Sequence, residues 1–61
     1  MHFEIWHTDP NEVWADMLYT TEDEEEARHA FFEARAQYED PDTVDCFKVD
    51  ENNTLYAMEF I

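Results

Sequence analysis

Three kinds of hydrophobic spacing follow one another along the chain, and each predicts a different element. Phe3 and Ile5 alternate with polar neighbours over His2–His7, the period-two pattern of a half-buried strand. Ala27, Ala30, Phe31, Ala34 and Tyr38 recur at three- and four-residue spacing, one stripe of a helix running from about Glu22 to Tyr38. Thr21 is placed to cap that helix, with Glu24 three residues on completing a capping box. The run Glu22 to Glu26 sits where the helix dipole favours negative charge, and Arg28 follows one turn after Glu24 and Glu25. Pro41 closes the helix by forcing Asp40 out of the helical region. Thr43–Val49 and Thr54–Ile61 then read as strands of a hairpin, rich in Val, Phe and Tyr, with Asp50-Glu51-Asn52-Asn53 as the turn. Glycine is absent, so a positive φ in that turn falls to Asn52 or Asn53.

Residues 13–20 fit two patterns. Val13, Ala15, Met17 and Tyr19 alternate as a strand does, whereas Val13, Trp14, Met17 and Leu18 fit a short helix that Asp9-Pro10-Asn11-Glu12 would start. The strand is the preferred reading, with Thr8–Glu12 as a hairpin loop and Pro10-Asn11 at its tip. It predicts a single α+β domain over residues 1–61: an antiparallel sheet with one helix packed on it, in the order β-β-α-β-β. The helical reading gives β-α-α-β-β. The last strand is apolar on both faces, with Leu55, Ala57 and Ile61 on one and Tyr56, Met58 and Phe60 on the other. One helix covers one face only, so the other is left as aromatic surface suited to an interface, a homodimer included.

Charge changes this picture most. The chain has 61 residues, with 17 Asp and Glu against 3 Lys and Arg, a formal net charge of −14. Nucleic acid and anionic membrane are poor direct partners for such a surface, and a charged partner should be basic. The 44% hydrophobic content, with 16% of all residues aromatic, argues for a folded domain over a disordered one. Crowded carboxylates repel one another, so added salt or mild acid is expected to stabilise the fold.

Candidate chemistry is thin. There is no Ser, and Cys46 is the lone cysteine, so neither an internal disulfide nor an evident nucleophile–base pair is available; an enzyme is not expected. His2 and His7 are five apart on one strand and point to opposite faces, no His or Cys pair has zinc spacing, and the acidic turns lack the pattern of a calcium loop. No metal site and no cofactor are therefore expected. Residues 1–7 carry no basic stretch and no long apolar run, and nothing approaches a membrane span of ~20 residues. With a lone cysteine, this reads as a cytoplasmic protein.

The acidic surface remains. A domain of this length has a radius of gyration of roughly 10–11 Å, hence a diameter of about 27 Å. Duplex DNA carries about 16 charges over that distance, close to the −14 of this chain. Glu22, Glu26 and Glu33 fall on one side of the predicted helix, Asp23 and Glu25 extend the charge at its start, and Glu39, Asp40 and Asp42 at its end. Asp45, Asp50 and Glu51 add to it from the hairpin, with Trp6, Trp14 and Tyr56 as candidate aromatic anchors. In size, acidity, absence of glycine and aromatic content, the chain resembles the small phage-encoded inhibitors that imitate DNA. That class includes anti-restriction and anti-CRISPR proteins, uracil-DNA glycosylase inhibitors, and inhibitors of host gyrase or RNA polymerase. The resemblance is one of composition along the whole chain. The class shares no motif, so no residue role is carried across. It implies a protein that occupies the basic DNA or RNA site of a target in a bacterial host cell. The alternative is a non-mimic interaction or dimerisation module that binds through a hydrophobic sheet face.

Overall fold

The computed structural model describes residues 1–11 and 14–58. The chain forms strands β1 (His2–Thr8) and β2 (Ala15–Thr21), helix α1 (Glu24–Gln37), a 3-10 turn at Pro41–Thr43, and strands β3 (Val44–Val49) and β4 (Leu55–Met58). The sheet order is β2-β1-β3-β4, with every neighbouring pair antiparallel. This is the β-β-α-β-β arrangement, and the alternative with two helices is excluded. Because β2 and β3 both flank β1, they run parallel to each other. The chain needs a crossover between them, and α1 supplies it across one face of the sheet.

Alternation along β1 sets the two faces. Phe3 and Ile5 point toward α1 and meet Ala27 and Phe31, while Val44 and Cys46 of β3 complete the core. Ala30, Ala34, Tyr38 and Met58 pack around its margin. The helical stripe read from the sequence is therefore the buried one. Ile5 and Cys46 are register partners and nearly solvent-free. Burial pushes the Cys46 thiol up to about 11, so this cysteine is a small core hydrophobe rather than a nucleophile.

Element boundaries differ from the sequence expectation in instructive ways. Helix α1 is capped by Asp23, whose Oδ1 accepts from the Glu25 N–H at 2.9 Å and the Glu26 N–H at 3.4 Å. Thr21 acts one step earlier, its hydroxyl accepting from the Asp23 N–H at 3.1 Å, so Thr21 and Glu24 do not form a capping box. Asp wins because its carboxylate reaches two orphan amides and carries the charge the dipole favours. Tyr38 lies just past the helix, in extended conformation. Thr43 belongs to the 3-10 turn, not to β3. Strand β2 begins at Ala15, so Trp14 precedes it and Val13 lies outside the described residues. The predicted last strand is described only as far as Met58; residues 59–61 lie outside the described part.

Two local devices shape the edges. The β1–β2 register shifts after Ile5: Ile5 pairs with Tyr19 and Trp6 with Met17, leaving Leu18 as the extra residue of a bulge. In the β3–β4 turn, Asp50 Oδ1 accepts from the Asn52 N–H at 2.8 Å and the Thr54 N–H at 2.9 Å. Asn53 takes φ 63°, the left-handed conformation that the absence of glycine assigns to an Asn.

Candidate acidic binding surface

The acids gather at the two ends of α1 rather than along it. At the start, Glu22, Asp23, Glu24, Glu25 and Glu26 are consecutive and all exposed. Asp23 is spent on the cap, and Glu26 accepts a hydrogen bond from the Tyr19 hydroxyl. That carboxylate favours the protonated phenol and holds the Tyr19 pKa above its usual value. Glu22 precedes the helix and, with Glu24, borders a depression beside Met1, Phe3 and Lys48. The expectation that Glu22 shares a side with Glu26 and Glu33 is therefore corrected, because helical spacing does not apply before the cap.

At the other end, Glu39, Asp40 and Asp42 surround the helix exit. Asp40 Oδ1 accepts from the Asp42 N–H at 3.1 Å and so caps the 3-10 turn, and Asp42 lies 3.6 Å from the Arg35 guanidinium. Tyr38 stacks on His7 of β1, with centroids 3.8 Å apart and planes 13° from parallel. This pair, together with Asp9, Glu39 and Asp40, borders a second depression. Asp9 belongs to the cluster although the sequence separates it from Glu39 by thirty positions.

Between these ends the outer helix face is mixed. Arg28 sits 6.0 Å from the centroid of the Phe32 ring and borders a shallow depression with Glu25 and His29, and Arg35 sits 5.3 Å from that of Phe31. His29 meets Glu33 at 3.0 Å, one helical turn on. A groove of about 350 Å³ runs along the other side of the helix, between α1 and β2. Ile5, Leu18, Ala30 and Ala34 line it, with Glu26 and Glu33 also along it. Spacing on the helix foretold that Glu26 and Glu33 share a side. The contribution of Leu18 and Tyr19 depends on the bulge, which leaves no periodic signal.

The sheet face away from α1 has its own construction. His2, Glu4 and Trp6 alternate on β1, with Met17 of β2 and Asp45, Phe47 and Val49 of β3 beside them in register, and Leu55 and Ala57 on β4. Glu4 accepts from the Trp6 indole N–H at 3.0 Å and lies 2.7 Å from His2 Nε2. Hydrogen bonding to His2 first, and to Trp6 second, holds the Glu4 pKa below its ordinary value. The i, i+2, i+4 pattern could have nominated this trio. Met17 and Leu55 are half exposed on the same face.

The three nominated aromatics do not converge. Trp6 lies on the open face with its N–H satisfied. Tyr56 pairs with Lys48 on the helix-side face, and its hydroxyl donates to Asp50 Oδ2 at 3.3 Å. Trp14 is the most exposed of the three, at 69%, and stands outside the strands. Asp45 is exposed beside Trp6, and Glu51 is exposed at the hairpin tip. Asp50 is committed to its turn: the Thr54 N–H foremost, then the Asn52 N–H and the Tyr56 hydroxyl, hold its pKa down.

The Cα atoms extend over 32 × 23 × 17 Å, with a radius of gyration of 11.2 Å. Among the described residues, no three His, Cys, Asp or Glu side chains are grouped to hold a metal ion, and no helix is long and apolar enough to cross a membrane. Comparison with known protein families, curated proteins and solved structures finds no match.

Proposed function

We propose that this domain is a nucleic-acid mimic that occupies the basic DNA- or RNA-binding site of a target protein and inhibits it, without catalysis and without a cofactor. The observation that carries this reading is where the charge lies. Acids cluster at both ends of a 14-residue helix, about 21 Å long, on a body 32 Å in its longest dimension. A duplex of that length carries about 19 phosphate charges, against −14 here. Glu22, Glu24 and Glu25 at one end, and Asp9, Glu39, Asp40 and Asp42 at the other, stand in for phosphates against the Lys and Arg of the target. Asp45 and Glu51 extend the charge from the sheet. Restriction enzymes, CRISPR effectors, gyrase and RNA polymerase are the target classes that this chemistry fits, in the cytoplasm of a bacterial cell.

The open sheet face supports a second reading, an interaction or dimerisation module. Trp6, Met17, Phe47 and Leu55 share the sheet face that α1 does not cover. The readings separate on elution. The immobilised domain is loaded with a bacterial lysate at low salt and washed with duplex DNA. The mimic releases a nucleic-acid-binding protein into the DNA wash. Retention of the bound proteins through that wash, with release only by detergent, would support the sheet-face module instead.

A further inference from the structure

We infer that the groove between β2 and α1 receives an arginine side chain of the target; this deepens the mimic reading and rests on its premise that the partner is basic. The helix-end clusters set their charge beside Met1 and Phe3 or beside His7 and Tyr38. The groove sets charge beside aliphatic side chains. Ile5, Leu18, Ala30 and Ala34 give it an apolar lining, and Glu26 and Glu33 lie along it 7 positions apart, two helical turns, on the same side of α1. An arginine has the matching construction: an apolar stem that prefers such a surface, and a planar cation that donates to a carboxylate at its edge and stacks on an aromatic ring with its face.

One oxygen of Glu26 is held by the Tyr19 hydroxyl, and one oxygen of Glu33 by His29 at 3.0 Å. Each carboxylate has a second oxygen able to accept from a guanidinium. Tyr19 and Tyr38 border the same groove, Tyr38 with one ring face stacked on His7, and aromatic rings attract a cation. The volume of about 350 Å³ falls at the small end of ligand sites, suited to a side chain rather than to a whole folded element. The bulge at Leu18 is what makes the groove: without the extra residue, Leu18 and Tyr19 would lie on opposite faces of β2.

The test uses a capped Ala-Arg-Ala-Arg-Ala peptide titrated into the domain and followed by NMR. Seating in the groove shifts the methyl signals of Leu18, Ala30 and Ala34 and the ring signals of Tyr19. Glu26→Gln with Glu33→Gln should weaken binding about tenfold, as expected for losing charge-assisted hydrogen bonds. Asp16→Asn with Asp50→Asn removes the same charge from outside both the groove and the helix-end clusters and should weaken it less than about threefold. Unmoved methyl signals in the unsubstituted domain, or equal weakening by the two double variants, would overturn the assignment. Failure of the mimic reading looks different: the peptide seats in the groove, but duplex DNA displaces no protein bound to the domain.

Discussion

At Glu4 and Asp50 the local partners decide how the protein responds to acid. Both carboxyls titrate below their ordinary range, Glu4 through His2 and Trp6, Asp50 through the Thr54 N–H and its turn. Their folded pKa values lie below the unfolded ones. The stability they contribute is thus complete above the unfolded values, roughly pH 4 to 4.5, and is lost as pH falls through the folded values. Charge crowding acts in the opposite sense, since protonation relieves repulsion. Urea midpoints measured from pH 7 downward should rise slightly at first and then fall below about pH 4. Glu4→Gln together with Asp50→Asn should flatten the acid fall; an unchanged fall would show that other groups control it. Crowding was legible from composition alone. The downward shifts were not, because they depend on an imidazole, an indole and backbone amides that only the folded chain brings to these carboxyls. The turn position of Asp50 was legible, and for the same reason the hydrogen bonds that occupy its carboxylate there were not.

The elements were legible where periodicity is strong. The stripe from Ala27 to Tyr38 marked the buried side of α1, and alternation at Phe3 and Ile5 marked the buried face of β1. Caps and bulges were harder. In Thr21-Glu22-Asp23-Glu24-Glu25-Glu26 both Thr21 and Asp23 satisfy the pattern of a cap, and only the hydrogen bonds separate them. Asp23→Ala should cost about 1 kcal/mol and Thr21→Ala distinctly less, as read from urea midpoints. The reverse order would restore Thr21 as the cap. The bulge at Leu18 has no counterpart in the sequence pattern, because one inserted residue looks the same as a strand whose alternation simply weakens. Half of the candidate groove was therefore invisible: Glu26 and Glu33 were found by helical spacing, Leu18 and Tyr19 were not.

For the whole molecule, the decisive quantity remains −14 on 61 residues, now with positions attached. The charge does not form a stripe along α1, since Arg28 and Arg35 interrupt it; it forms two poles and one wall of a groove. Poles built of five consecutive acids, and of acids from two separate segments, should destabilise the isolated domain at low ionic strength. The melting temperature should rise as salt increases from about 0.01 to 0.1 M, which shortens the screening length from about 30 Å to about 10 Å. A melting temperature indifferent to salt would mean that the poles are too well solvated to strain the fold.

The central claim, that this surface takes the place of nucleic acid, is tested most directly by competition. The protein released from the immobilised domain by DNA is purified, and its affinity for the domain is measured against rising concentrations of duplex DNA at about 50 mM and about 200 mM salt. The mimic predicts mutually exclusive binding, with affinity for the domain falling at least about tenfold between the two salt conditions. A ternary complex of target, DNA and domain, with an affinity that salt does not change, would contradict it.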